Sequence, residues 1–142
     1  MTGIVRNLSA SSPLDLHLSQ PPTLKALRGD ARQLPLEDDC VDLIATSPPY
    51  WQKRDYEHPD QIGQEATAAQ YTHAINECLR EWRRVLRPTG SVFLNVGDTF
   101  HKRSLAGIPG RVEAAAGDDG WIIRNREVCL VELSTSVTAD SH

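Results

Sequence analysis

Cysteine is scarce in this chain, occurring only at Cys40, Cys78 and Cys129. The number is odd, the spacing wide and no Cys-x-x-Cys pair is present. Neither a disulfide framework nor a zinc site is expected, and the thiols suit a reducing compartment. No apolar run approaches the roughly 20 residues that span a bilayer, and the start lacks the basic-then-apolar pattern of a secretory leader. The expected location is the cytoplasm. Positive charge is not in excess: 15 Lys and Arg against 19 Asp and Glu leave a net charge of −4, unlike a protein that wraps DNA. No two of the nine glycines are separated by a single residue, so the chain holds no Gly-x-Gly turn. With 142 residues, 39% hydrophobic and 24% charged, it is one ordinary globular domain at most, or part of one.

What is present centres on Asp42-Leu43-Ile44-Ala45-Thr46-Ser47-Pro48-Pro49-Tyr50-Trp51. It opens as a short buried strand and breaks at two prolines that cannot donate to a ladder. Two aromatic residues follow at once. In open α/β sheets ligands bind at the carboxyl ends of strands. The prolines hold the Ser47 and Pro48 carbonyls in place and free to accept, and the Ser47 hydroxyl is a further acceptor. Such a corner suits an amino group, with Tyr50 stacked on the flat ring that carries it. The plainer reading is a rigid strand-terminating turn with a surface aromatic.

Further segments occur in a fixed order around this one: Gly29-Asp30-Ala31-Arg32-Gln33-Leu34-Pro35-Leu36 before it, then Gln61-Ile62-Gly63, Leu86-Arg87-Pro88-Thr89-Gly90-Ser91 and Leu94-Asn95-Val96-Gly97-Asp98. Together they resemble the amino-group DNA methyltransferases, which methylate cytosine N4 or adenine N6. The resemblance runs from about Leu24 to Val128, and Thr46-Ser47-Pro48-Pro49-Tyr50-Trp51 is its most specific part. It implies an α/β fold: a partial Rossmann-like S-adenosylmethionine-dependent methyltransferase sheet with crossover helices. It implies S-adenosylmethionine as cofactor, with Gly29 and Asp30 meeting the adenosine part and Asp30 accepting. The catalytic corner would be Ser47, Pro48, Pro49 and Tyr50, the partner double-stranded DNA, and the setting a restriction-modification system. In that family Ser-Pro-Pro-Tyr is commoner among cytosine-N4 enzymes and Asp-Pro-Pro-Tyr among adenine-N6 enzymes, so Ser47 favours cytosine.

In chain order, residues 1–22 read as a flexible tail, although Leu14, Leu16 and Leu18 alternate as in a short docking strand. A partial catalytic domain is expected over 23–131, and a second flexible tail over 132–142. Thr23 to Arg28 reads as a first strand, ending at Gly29-Asp30. Glu37, Asp38 and Asp39 form a solvent-facing connector to the strand Val41 to Thr46. Trp51 to Gln64 is a loop. Its His58 has no Ser or Cys nucleophile partner and is expected on the surface. Thr67 with Gln70 forms a capping box, and Tyr71, Ala74, Ile75, Cys78, Leu79, Trp82, Val85 and Leu86 share one helical face. Trp82 is therefore core. Arg83, Arg84 and Arg87 suit the helix end, which Pro88 and Gly90 stop.

Ser91 to Val96 reads as a second buried strand, giving a right-handed βαβ unit with Ser47–Tyr50 and Asn95–Asp98 on one edge. A short helix is expected from about Pro109 to Ala116. Trp121-Ile122-Ile123 and Arg124 to Val131 read as a terminal hairpin. Lys53 and Arg54 follow the first strand end, and Lys102 and Arg103 with His101 follow the second. These four cations are the candidate phosphate contacts, the alternative being solvated loop charges.

The resemblance has one gap. The family's methyl-donor site uses a Phe-x-Gly-x-Gly turn that, in this circular order, would follow the present end of the chain. A truncated or split enzyme is expected, with a second polypeptide as one source of the missing cofactor half. Its chemistry would be direct transfer to the amine of a flipped base, without a covalent enzyme intermediate. The alternatives are a non-catalytic remnant or nucleic-acid-binding module that keeps the base pocket, and a methyltransferase for a protein or RNA amine. Enzymes of the latter kind that act on glutamine use Asn-Pro-Pro-Tyr, so Ser47 speaks against that reading.

Overall fold

The computed structural model describes residues 23–126. The expected tails at 1–22 (with Leu14, Leu16 and Leu18) and 132–142 lie outside the described residues. So does the 127–131 part of the expected returning strand. Six elements follow in order: β1 (Val41–Thr46), α1 (Ala68–Val85), β2 (Leu86–Leu94), β3 (Phe100–His101), β4 (Ser104–Leu105) and α2 (Ile108–Asp118). β1 and β2 pair in parallel, with α1 crossing between them, so the centre is a βαβ unit of mixed α/β character.

α1 begins where its capping box closes. The Thr67 hydroxyl accepts from the Gln70 N–H at 3.2 Å, and the Gln70 side chain accepts from the Thr67 N–H at 3.1 Å. The stripe Tyr71, Ala74, Ile75, Cys78, Leu79, Trp82 and Val85 is buried, joined by Asn76. Each large apolar member stabilises the fold by about 1.5–3 kcal/mol on full burial. Trp82 lies in this core, and its ring N–H donates to the Ala31 carbonyl at 3.1 Å. Arg84 pins the lead-in to β1: its guanidinium reaches the Leu34 and Leu36 carbonyls, Asp38 and Glu81. The acidic connector is thus tethered through Asp38 while remaining exposed.

β2 differs from the expected strand at both ends. It starts at Leu86, directly after the helix, and stops at Leu94 instead of Val96. The Leu86 N–H still donates to the Trp82 carbonyl while its backbone is already extended. Val41 pairs with Leu86 and Leu43 with Ser91, so Asp42 alone faces the bulge Arg87-Pro88-Thr89-Gly90. Pro88 therefore sits where the ladder asks for no donor. Arg87 closes the bulge on Asp42 at 2.6 Å. Neither strand is buried on both faces. Ile44, Val92 and Leu94 pack into the core, whereas Leu43 and Phe93 are 41% and 66% exposed.

Two expected strands do not form among the described residues. Thr23 to Arg28 is exposed and has no ladder partner, leaving only an isolated bridge between Asp30 and Gln33. Trp121–Ile123 is likewise not a strand. The Trp121 N–H instead donates to the Ala116 carbonyl at 3.0 Å, and the Arg83 guanidinium lies 4.8 Å over its ring. These contacts fasten the end of α2 to α1, helped by Arg80 on Asp119. No helix among the described residues is long and apolar enough to cross a membrane.

Candidate active site

β1 ends at Thr46, and the chain turns through Ser47-Pro48-Pro49-Tyr50 at its carboxyl end. The corner is held from three sides. The Tyr71 hydroxyl, from the fully buried side of α1, donates to the Pro49 carbonyl at 2.9 Å. Gly63 packs against Pro49 from the loop. A Cβ there would lie 3.1 Å from the Pro49 Cβ, and φ is +111°, which only glycine adopts with ease. The Gln52 N–H returns to the Gly63 carbonyl at 2.6 Å. After β2, the Asn95 N–H donates to the Thr46 carbonyl at 2.9 Å, which brings Gly97 under the Tyr50 ring. A Cβ on Gly97 would lie 2.5 Å from Cε2 of Tyr50, so the ring rests on bare backbone.

Trp51 does not share in the display of aromatics. It is buried, its ring N–H donates to the Glu65 carbonyl at 2.8 Å, and its own carbonyl accepts from the Thr99 hydroxyl at 2.7 Å. Tyr50 is therefore the aromatic at the corner that remains half-exposed. Among the described residues no hydrogen bond ends on the Ser47 hydroxyl or the Pro48 carbonyl. The acceptor that the structure uses is the next carbonyl, that of Pro49.

A cleft of about 1540 Å³ opens at this corner, walled by Leu27–Arg32, Leu43, Ala45–Tyr50 and the loop that carries Lys53, Arg54 and Ile62. It gathers eight of the expected site residues: Gly29, Asp30, Ser47, Pro48, Pro49, Tyr50, Lys53 and Arg54. Lys102 and Arg103 stand apart from it, at the tip of the β3–β4 hairpin. His58 is exposed at the cleft rim, with Nδ1 accepting from the Asp60 N–H.

Asp30 is more engaged than the sequence suggests. Both carboxylate oxygens accept from Arg32, through its backbone N–H, Nε and Nη2 at 2.9–3.2 Å. The Arg32 hydrogen bonds hold the Asp30 carboxyl below its usual range and raise the Arg32 pKa in turn. Arg32 Nη2 also donates to the Asp60 carbonyl at 3.1 Å, so one side chain ties the Gly29-Asp30 turn to the opposite loop. Asp98, beyond Gly97, is structural. Its carboxylate accepts from the Thr99, Gly107 and Ile108 N–H groups and caps α2 from a distant part of the chain.

Tyr71, Gly63, Gly97 and Arg32 are the residues that sequence reasoning gave no part in the site. Gly63, Gly97 and Arg32 lay within the family-like segments, which was their signal. Tyr71 had none, because its ring fits the core stripe.

The N6/N4 methyltransferase family model, described as DNA methylase, matches residues 41–129. A type II methyltransferase of Streptomyces fimbriatus, M.SfiI, is 37% identical over 107 residues, covering 63% of this chain and 25% of the relative. M.MwoI of Methanothermobacter wolfeii is 41% identical over 90 residues, covering 61% and 14%. M.SmaI of Serratia marcescens is 30% identical over 154 residues, covering 83% and 53%. The chain thus spans between 14% and 53% of the length of these relatives. No solved structure matches it.

Proposed function

The chain belongs to the DNA methylase family, and on that premise we propose that it forms the base-binding and catalytic part of a type II DNA methyltransferase. The target is an exocyclic amine of a flipped base, cytosine N4 in preference to adenine N6. One observation carries this reading: Tyr50 lies half-exposed on Gly97 at the cleft, beside a Ser47 hydroxyl and a Pro48 carbonyl that nothing in the described fold occupies.

S-adenosylmethionine, when bound, supplies a methyl group on a positively charged sulfur. The chain's own residues do the rest. Tyr50 stacks on the base, a contact worth about 1–3 kcal/mol in other base–aromatic pairs. Ser47 and Pro48 accept the amine hydrogens, which turns the nitrogen lone pair outward. Their bonds strengthen as the amine gains positive charge, so they stabilise the transition state more than the ground state. Lys53 and Arg54 at the cleft, with Lys102 and Arg103 on the hairpin, meet backbone phosphates of double-stranded DNA.

The adenosine part of the cofactor fits the Gly29-Asp30 wall only once Arg32 releases Asp30, since each carboxylate oxygen already accepts two bonds. No Gly-x-Gly turn exists among these 142 residues to receive the methionine part. The same two observations support a second reading, a nucleic-acid-binding module that keeps the base pocket without transfer. Binding of labelled S-adenosylmethionine by the purified chain separates the two.

The base pocket itself is tested without cofactor, on duplexes carrying one bulged cytosine, adenine or thymine. Extrusion then costs little, and the exocyclic amine decides. Cytosine is expected to bind tightest and thymine, which lacks the amine, weakest. Equal affinity for all three would remove the support for an amine-reading corner. Adenine ahead of cytosine would reverse the target.

A further inference from the structure

The β3–β4 hairpin lies outside the cleft and has its own construction. Phe100 pairs with Leu105 and His101 with Ser104, so Phe100 and Leu105 stand on one face of the ribbon. They are 67% and 65% exposed. On the other face the His101 ring lies 5.1 Å from the Trp51 ring, against the body. The two-residue turn is Lys102-Arg103, with φ of 48° and 67°. Glycine or asparagine would hold that left-handed turn with less strain, so two cations occupy the tip against backbone preference. A third cation, Arg111, lies at the root with its Nε on the Ala106 carbonyl at 2.9 Å. The root is fixed: the Ala106 N–H meets the Thr99 carbonyl, and the Thr99 hydroxyl meets the Trp51 carbonyl, one residue from Tyr50.

We propose that this hairpin enters the DNA duplex beside the target base, with Phe100, backed by Leu105, inserting into the gap left by flipping. This rests on the reading of the chain as part of a DNA methyltransferase. Extruding a base leaves its neighbours without a stacking partner, and an inserted apolar side chain supplies a surface there while leaving water itself. The occupant is a nucleic acid because exposed apolar groups are joined here to Lys102, Arg103 and Arg111, which complement phosphate. Tyr50 and Phe100 then divide the work. One holds the base that leaves, and the other fills the place it left.

A base-free gap separates these roles. Binding is measured by fluorescence anisotropy on a short mixed-sequence duplex, intact or with one central abasic residue, where there is no base for Tyr50 to capture. The full chain is expected to bind the abasic duplex about fivefold tighter, the lower end of what one base–aromatic stack is worth. Phe100→Ala should bring the two affinities together, Phe100→Leu should keep most of the difference, and Tyr50→Ala should not reduce it. Phe100 is exposed, so the variants should give the same circular dichroism as the parent. Equal binding of both duplexes by the parent, or an undiminished preference in Phe100→Ala, overturns the insertion and leaves the DNA reading standing. Failure to bind either duplex overturns both. A parent dimer in sedimentation that Phe100→Ala converts to monomer would assign the face to a second copy and also overturn the insertion.

Discussion

The Tyr71 hydroxyl donates to the Pro49 carbonyl across 2.9 Å, linking the buried face of α1 to the corner that carries Tyr50. Burial pushes the Tyr71 pKa up, so the phenol stays protonated and remains a donor through the physiological range. A core residue therefore sets the position of a surface one.

Tyr71→Phe keeps the ring in the core and removes that bond. The expected loss of stability is about 1 kcal/mol, the typical net worth of one hydrogen bond. Urea unfolding measures it. Affinity for a bulged cytosine should fall as well, because the corner loosens. A variant with lowered stability and unchanged base affinity would show that the bond serves the fold alone.

Gly97→Ala places a methyl where the Tyr50 ring now rests. The ring must move, and base binding should fall about as far as in Tyr50→Ala. The decisive comparison is the double variant. If Gly97 acts through Tyr50, adding Gly97→Ala to Tyr50→Ala costs nothing further. An additive loss would place its effect elsewhere.

Ser47→Ala should lower the rate of methyl transfer more than it weakens DNA binding, and Tyr50→Ala should do the reverse. Both are measured with labelled S-adenosylmethionine and duplex DNA. Ser47 is exposed and makes no described hydrogen bond, so the variant should fold normally. Unfolding without any change in rate would reduce the corner to a structural turn.

Lys53→Ala and Lys102→Ala should weaken binding alike on every DNA sequence. Each should flatten the slope of log affinity against log salt by about one unit. A Lys102 variant with the parent's slope would detach the hairpin tip from the phosphates.

Acid should destabilise the fold through Asp30, Glu81 and Asp119. Hydrogen bonds from Arg32, Arg84 and Arg80 hold their carboxyls below the usual carboxylate range. A depressed folded pKa means that the unfolded state binds protons first. This stability is fully present above the unfolded carboxylate range, below about pH 4 it begins to drain, and it is gone once the folded values are passed. Urea midpoints across that range check the sign. Glu81→Gln should make the dependence shallower.

β1 and α1 were legible because their signals are local: an apolar run stopped by Pro48, a capping box at Thr67 and a stripe with helical period. The start of β2 was not, since Pro88 and Gly90 ordinarily mark a turn and only the bulge opposite Asp42 accommodates them in a strand. The full burial expected of both strands failed on Leu43 and Phe93, whose cover is a tertiary matter. At the site, Ser47-Pro48-Pro49-Tyr50 could be read as a string, and its meeting with Gly97 was foreshadowed by the βαβ order. The Tyr71 bond, the seat of Tyr50 on Gly97 and the Arg32 clamp could not be read. They depend on a distance across space, not a spacing along the chain.

If Asp30 receives the cofactor as proposed, the Arg32 clamp makes the protein a rival of that ligand. Any hydroxyl that seeks Asp30 meets a guanidinium already present at very high local concentration, tethered two residues away and held also by the Asp60 carbonyl. Apparent affinity is then the intrinsic affinity scaled by the fraction of molecules in which Arg32 has swung clear. The same departure cuts the tie between the two lips of the cleft. On the proposed role of Asp30, a ligand there would therefore also remove one of the ties on the loop that carries Lys53 and Arg54.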